Sequence, residues 1–172
     1  MFRIDVENLC WITGDLDNAD DFCLHGHVVV QIGEETFDYN ATASATGLYL
    51  LRTLTENHTW NDDNMLPCCG HFMIANEQLD YVDILGCSNG VNFEVIHGAD
   101  NNLKIRSNTG KEVFICKERY ANEVNLFADK IESFYKTSSP KNFDSCDDFE
   151  RNGYIAFWNE WSRRRKCVNQ YN

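Results

Sequence analysis

The sequence predicts an α+β protein with a mostly antiparallel, curved sheet, one buried helix after the first hairpin and two C-terminal helices. Three observations support this class. Short β-branched runs separated by turn residues fill much of the first two thirds of the chain. Apolar residues recur at helical spacing between Gly47 and Leu54, and again from Tyr120 to Tyr135. Strands are grouped rather than alternating with helices, and no repeat or linker interrupts the 172 residues, so we expect one domain over 1–172.

The strands are predicted from β-branched and alternating runs. Asn89-Gly90 indicates a type I′ hairpin, which would join Tyr81–Cys87 to Val91–His97. The predicted strands are Phe2–Val6 with a continuation at Leu9–Ile12, Leu24–Ile32, Thr36–Asn40, Phe72–Ile74, Leu79–Leu85, Val91–His97, Leu103–Arg106 and Glu112–Cys116.

The helices are predicted from apolar periodicity. In the first, the hydroxyl residues Thr42 and Ser44 can cap the start, and the apolar stripe makes the helix a largely buried one. In the last, Asp147-Asp148 opens the helix and the cations of Arg163–Lys166 match the negative end of its dipole, so we interpret that run as solvated. The apolar positions are Gly47, Leu50, Leu51, Leu54 and His58 in the first helix, Tyr120, Val124, Phe127, Ile131 and Phe134 in the second, and Tyr154, Phe157, Trp158 and Trp161 in the third.

The net charge of −12 lies entirely in the first half of the chain. Residues 1–80 hold 14 acidic and two basic residues, whereas 81–172 hold 13 of each. Such a distribution fits either a solvated acidic face or a surface complementary to a basic partner. It disfavours direct binding of nucleic acid, because phosphate contacts need a clustered basic surface.

Several sequence features bear on location and redox state. No apolar run reaches the roughly 18 residues of a membrane span, and the acidic N-terminus lacks the basic and apolar regions of a signal peptide. We therefore expect a cytoplasmic protein whose eight cysteines are reduced.

Two groups of residues have metal-ligand chemistry. The aspartate-rich segment from Gly14 to Asp21 lacks the later glycine and glutamate of an EF-hand, so we do not expect calcium there. Zinc is likewise not expected, because adjacent side chains point apart in an extended chain and the Cys-Cys-x-His spacing is unlike that of a zinc ribbon. No cofactor is expected. The cysteine and histidine set consists of His58, Cys68, Cys69, His71 and Cys87.

An enzyme is a less favoured interpretation. Cys69 beside His71 would need an activating imidazole and an oxyanion hole, and the sequence provides no family signature for either. Phosphate-binding glycine loops and serine nucleophile elbows are absent. The alternative that stays open is a Cys/His-containing enzyme or zinc-binding module that uses Cys69, His71 and Cys87. A scaffold or stress protein without a dedicated partner is a third, weaker one.

Four blocks of the chain resemble immunity proteins of contact-dependent growth inhibition and related polymorphic toxin systems. They are Ser44–Leu54, Leu66–Phe72, Gly86–Val91 and Gly153–Trp161. The resemblance implies a non-enzymatic bacterial protein that binds a cognate toxin domain in the cytosol and covers its active site. Many such toxins are nucleases with basic clefts, which an acidic surface can occupy. The blocks resemble fold signatures and transfer no functional residue.

The acidic first half of the chain is our hypothesis for the toxin-binding surface. Trp60 is the candidate aromatic anchor, with a core-facing role as the alternative. The candidate residues are Asp15, Asp17, Asp20, Asp21, Glu34, Glu35, Asp38, Trp60, Asp62 and Asp63.

Overall fold

A computed structural model describes residues 1–15, 17–99, 101–144 and 146–168. These residues form ten strands and three helices, which confirms the α+β class. All strand pairs are antiparallel, and they are divided among four small sheets rather than joined in one. The strands are β1 (Phe2–Cys10), β2 (His25–Ile32), β3 (Glu35–Ala41), β4 (Leu66–Pro67), β5 (Phe72–Ala75), β6 (Val82–Leu85), β7 (Gly90–Val91), β8 (Phe93–His97), β9 (Asn102–Ser107) and β10 (Glu112–Cys116).

The two largest sheets have the orders β1-β2-β3 and β10-β9-β8, and the smaller ones pair β4 with β7 and β5 with β6. Along β1, Phe2, Ile4 and Val6 are buried and their neighbours are exposed, as the alternating pattern predicts. A register shift between Glu7 and Cys10 interrupts this strand. Asn8, inside that bulge, takes the positive φ of 52° that asparagine tolerates better than most residues.

The three helices are α1 (Ala43–Arg52), α2 (Lys117–Thr137) and α3 (Asp148–Val168). The prediction of a buried central helix is confirmed, because every residue from 43 to 51 is buried and α1 contacts both other helices. The backbone of α1 comes close to α3 at Gly47, where an added Cβ would lie 2.6 Å from the Trp161 ring. Only glycine leaves room for that ring.

The predicted cap of α1 forms only in part. Thr42 occupies the N-cap position but makes no side-chain cap hydrogen bond. Its hydroxyl instead donates to the carbonyl of Cys68 at 3.3 Å, and its backbone N–H donates to that of Pro67 at 2.8 Å. The start of the buried helix therefore holds the cysteine-containing segment in place.

The predicted hairpin at Asn89-Gly90 is wrong. β6 pairs with β5 and β8 pairs with β9, while β7 pairs with β4. A type I′ turn needs positive φ at both central residues, and the φ of Asn89 is not positive. Gly90 is required for a different reason, because an added Cβ would lie 2.5 Å from the Leu66 carbonyl oxygen.

The basic run at the end of α3 is only partly solvated, which corrects the dipole-based interpretation. Arg163 and Lys166 are exposed, whereas Arg164 and Arg165 are not. Arg164 is only 6% exposed and donates to Glu160 at 2.7 Å and to Glu56 at 2.8 Å. Arg165 pairs with Asp129 and Glu132 of α2. These cations join α3 to α2 and to the segment after α1.

Candidate functional site

The loop Thr59–Asn64, called here the acidic loop, presents Trp60 at the surface. Asp62 closes the loop by accepting hydrogen bonds from the Thr59 N–H at 2.6 Å and the Thr59 hydroxyl at 2.9 Å. The Trp60 side chain is 38% exposed, and the guanidinium carbon of Arg106 lies 5.8 Å from its ring centroid. Trp60 is thus outside the core and open to a partner.

Asn92 fixes the base of the acidic loop. Its Oδ1 accepts from the Met65 N–H at 3.1 Å and lies 2.7 Å from the His58 Nε2. Burial lowers the pKa of His58, partly offset by the hydrogen bond to Asn92. The His58 ring is therefore occupied in holding the loop.

Two cavities adjoin the acidic loop and share Tyr49, Asp62 and Asp63 in their walls. One has a volume of about 640 Å³ and includes Trp60 and Cys87, and the other has about 410 Å³. The second also contains Glu56, Tyr81 and Asp83, which the sequence analysis did not single out. Alternation along β6 is the signal that could have placed Asp83 outward. The carboxylates in both walls suit a cationic side chain. The chain's own Arg52 already lies over the aromatic rings of the second cavity, 5.6 Å from the Tyr49 centroid and 4.6 Å from the Tyr81 centroid.

The acids of the β2–β3 hairpin have different surroundings. Glu34 is exposed at the turn, and the Asp38 carboxylate lies 3.8 Å from the His27 Nε2. Glu35 accepts hydrogen bonds from the hydroxyls of Ser107 and Thr109, which lower its pKa. Glu35 therefore connects two sheets as well as contributing charge.

The acids of the loop before β2 have internal hydrogen-bond partners. Asp17 accepts from the N–H and hydroxyl of Ser139, and these bonds lower its pKa. Asp20 accepts from the Asn142 side chain, and Asp21 from two backbone N–H groups, while Asp15 accepts from a nearby threonine hydroxyl. These four residues organise the loop and its contact with the segment after α2.

Lys141 lies within this group of acids. Its Nζ is 3.1 Å from the centroid of the Trp11 ring and donates to a backbone carbonyl of the loop at 2.7 Å. Burial lowers the pKa of Lys141 to about 8, against the opposing effect of Asp21 and Asp17. The loop's negative charge is thus partly compensated from within.

Two glycines bring the segment 86–91 against the segment 64–69. An added Cβ at Gly86 would lie 2.8 Å from the Cys69 carbonyl oxygen, comparable to the close approach at Gly90. The Cys68 N–H donates to the Asn89 carbonyl at 3.2 Å, and the Asn64 side chain donates to the Ser88 carbonyl at 3.1 Å. The two segments are held together by backbone contacts.

This arrangement gathers Cys68, Cys69 and Cys87, called here the cysteine cluster. Their three sulfur atoms all lie within 4.8 Å of one another, and the Cys69 and Cys87 sulfurs are 3.4 Å apart. The expectation that Cys68 and Cys69 point apart is wrong, because the chain bends at Cys68 instead of continuing as a strand. The seven cysteines whose side chains are described are free thiols, and the Cys167 side chain lies outside that part of the chain.

The thiols of Cys69 and Cys87 differ in acidity. Hydrogen bonds from the Asn89 backbone and the Cys69 thiol lower the pKa of Cys87. The hydrogen bond that the Cys69 thiol donates to Cys87 raises the pKa of Cys69. The neighbouring phenol of Tyr39 also has a raised pKa, because of burial and a hydrogen bond to Cys68. Cys87 therefore ionises more readily than Cys69.

Of the predicted combination of Cys69, His71 and Cys87, only the two cysteines lie together. His71 is exposed and lines a different cavity of about 420 Å³ with Asp20 and Asp21. Cys68 takes its place beside the other two thiols. Neither His71 nor His58 belongs to the cluster.

Comparison with protein-family models, curated proteins and solved structures gives no significant match to this chain. In the part of the chain that the structure describes, no helix has both the length and the apolar character needed to cross a membrane.

Proposed function

We propose that this chain is a cytoplasmic bacterial immunity protein that binds and neutralises a basic toxin domain, with a nuclease as the favoured target. One observation carries the proposal. Trp60 stands at the surface beside two cavities that share Asp62 and Asp63. The block resemblance and the charge of −12 in residues 1–80 support it independently.

The surface around Trp60 has the composition of a protein-binding site. Large aromatic residues act as anchors in such sites, and surrounding charges steer the encounter. A lysine or arginine of the partner can enter either cavity, where it meets the shared carboxylates of Asp62 and Asp63. A nuclease cleft is basic because it binds phosphates, so it offers such cations.

The candidate acids are weighted by their surroundings. We assign the main contact to Trp60, Asp62 and Asp63, with Glu34 and Asp38 as further exposed acids. Asp62 also accepts hydrogen bonds from Thr59, but it lines both cavities. The other acids have hydrogen-bond partners within the protein and line neither cavity, so we assign them a contribution to the electrostatic field rather than direct contact; they are Asp15, Asp17, Asp20, Asp21 and Glu35.

The proposal is tested by capture and affinity measurement. Tagged wild-type protein is incubated at physiological salt with lysate of the source organism, in a culture shown to express its toxin-delivery system. We expect a basic domain to be retained in equimolar amount, and its binding and enzymatic activity are then measured with purified components. An empty column, or a retained protein whose activity is unaffected by saturating wild-type protein, contradicts the proposal.

Matched variants locate the surface. Asp62→Asn/Asp63→Asn removes two charges from the acidic loop, and Glu77→Gln/Glu118→Gln removes two exposed charges elsewhere. We expect the first pair to weaken binding and the second to leave it within about twofold, because distant exposed charges are screened at physiological salt. Equal effects of the two pairs would contradict the assignment of the contact to the acidic loop.

A further inference from the structure

We propose that Cys68, Cys69 and Cys87 form a binding site for one Zn²⁺ ion, with all three sulfurs as ligands and the fourth position open to a water molecule. This site does not depend on the proposed immunity function. It differs from the combination predicted from the sequence, in which His71 stood in the place of Cys68.

The distances between the sulfur atoms fit a zinc ion. A Zn–S bond of about 2.3 Å in a tetrahedral site places sulfur ligands about 3.8 Å apart. The three sulfurs lie within 4.8 Å of one another, and those of Cys69 and Cys87 are 3.4 Å apart. Side-chain rotations that change the sulfur separations by no more than about 1 Å bring all three to the required distance.

The site is built before the ion arrives. Pairing of β4 with β7 and the bond from the Cys68 N–H to Asn89 hold the two segments together through the backbone. Gly86 and Gly90 permit the close approach, since a Cβ at either position would overlap a carbonyl oxygen of the facing segment. Preorganised ligands lose little conformational freedom on binding, which favours high affinity.

The surroundings favour a soft cation. Thiolate ligands select zinc over magnesium or calcium, which prefer oxygen. Cys68 and Cys69 are half-buried and Cys87 is exposed, so an ion can enter from solvent. Asp62 and Asp63 line the cavity that also contains Cys87, and their charge attracts the cation.

Zinc at this position would join two segments beside the acidic loop. Binding requires thiolates, so the three thiols release up to three protons to solvent as the ion binds, and affinity rises with pH. The expected physical consequence is a firmer wall for the cavity that includes Trp60 and Cys87.

The test uses the full-length protein, reduced, stripped of metal with a chelator and shown by thiol titration to contain free thiols. Zn²⁺ is added in competition with a chromophoric chelator, and Co²⁺ serves as the spectroscopic probe. We expect one ion per chain, with the thiolate-to-cobalt charge-transfer bands of a sulfur-rich tetrahedral site that disappear when Zn²⁺ is added.

Two serine variants make the assignment specific. Cys87→Ser alters an exposed member of the cluster, and Cys116→Ser removes a half-buried thiol outside it. We expect Cys87→Ser to weaken Zn²⁺ binding by more than about 100-fold, because loss of a residue that only hydrogen-bonds to a metal ligand costs up to about 100-fold. We expect Cys116→Ser to leave Zn²⁺ binding unchanged. Cys69→Ser, checked for folding by circular dichroism, should reproduce the first result.

Three outcomes would overturn the proposal. The first is that the reduced wild-type protein does not bind Zn²⁺ stoichiometrically. This includes a protein that is purified with a Cys69–Cys87 disulfide and still does not bind Zn²⁺ after reduction. The second is undiminished binding by Cys87→Ser. The third is equal loss in Cys116→Ser, which would indicate nonspecific thiol binding.

Discussion

Arg52 donates two hydrogen bonds to the buried carboxylate of Glu160, 108 positions later in the chain, at 2.9 Å from Nε and 2.8 Å from the terminal nitrogen. Glu160 also accepts from the side chain of Arg164 at 2.7 Å and from the Val82 N–H at 3.1 Å. One buried carboxylate thereby connects α1, α3 and the start of β6. These hydrogen bonds fix the position of Arg52, which lines the second of the two cavities beside the acidic loop.

Removing the charge of Glu160 should destabilise the protein strongly. Glu160→Gln leaves Arg52 and Arg164 without their shared counter-ion in a site with no exposed surface, and we expect a loss of about 3–5 kcal/mol in the free energy of unfolding. Denaturant unfolding followed by circular dichroism measures it. The matched control is Asp148→Asn, which breaks the exposed pair with Arg151 and should cost less than about 1 kcal/mol. Similar losses of unfolding free energy in the two variants would show that the buried ion pair stabilises the protein no more than the exposed pair does.

The same carboxylate predicts a dependence of stability on pH. Burial alone would raise the pKa of Glu160, but hydrogen bonds and charge from Arg52, with bonds from Arg164 and Val82, lower it overall. A lowered pKa in the folded state means that the stabilisation is complete above the unfolded value of about 4.3 and is lost as pH falls through the folded value. We expect the difference in unfolding free energy between wild type and Glu160→Gln to be constant near neutral pH. It should shrink below about pH 4. A difference that grows on acidification would contradict this assignment.

Gly47→Ala should destabilise although it replaces glycine inside a helix. At an open helical position this change stabilises by about 1 kcal/mol. Here the new Cβ would lie 2.6 Å from the Trp161 ring, so we expect overpacking to cost about 1–3 kcal/mol. Thermal and denaturant unfolding measure the change. In a Trp161→Phe background the penalty should fall, because the ring atoms that collide are gone. A stabilised Gly47→Ala single variant would refute the close contact.

The acidic loop should govern the rate of association with the partner. We expect Asp62→Asn/Asp63→Asn to slow association more at low salt than at high salt, because the attraction between exposed charges is screened within about 10 Å at 0.1 M. Stopped-flow or surface-based kinetics with the purified partner measure the rates. An effect independent of salt would point to a structural role for these acids.

Trp60 should act on dissociation instead. Trp60→Ala removes an aromatic side chain that is 38% exposed in the free protein, and anchors of this kind contribute 2 kcal/mol or more, roughly a 30-fold change. We expect faster dissociation with little change in the association rate. Since the ring is at the surface, stability should change little, which a parallel unfolding measurement checks. Unchanged dissociation would remove Trp60 from the interface.

The predictable parts of the fold are those encoded locally. The spacing of Gly47, Leu50 and Leu51 identified a buried helix, but α1 ends at Arg52, so the predicted stripe residues Leu54 and His58 lie beyond it. The stripe beginning at Tyr120 identified α2. The predicted hairpin at Asn89-Gly90 was wrong because glycine occurs both in tight turns and where two backbone segments come into close contact. The sequence alone does not show which of the two requires Gly90. The burial of Arg164 depends on Glu56, more than a hundred positions away, so dipole reasoning within α3 was insufficient.

In the candidate site, too, the sequence predicted some features and only the structure revealed others. Surface exposure of Asp62 and Asp63 follows from their polar loop, whereas the structure was needed to decide between an exposed and a core-facing Trp60. The structure also adds the two cavities that Asp62 and Asp63 share, the first of which Trp60 lines. The cysteine cluster was not predictable from spacing, because it depends on a bend at Cys68 and on pairing between β4 and β7. Both are long-range consequences of the fold.

Protection of cells from the captured toxin domain tests the central claim most directly. The domain is expressed from an inducible promoter in a host that lacks the toxin system, with or without this protein, and growth is followed after induction. We predict growth arrest by the domain alone, full protection by the wild-type chain and by Glu77→Gln/Glu118→Gln, and loss of protection by Trp60→Ala/Asp62→Asn/Asp63→Asn at equal protein level. Continued growth arrest in cells that contain the wild-type chain in excess would contradict the immunity function.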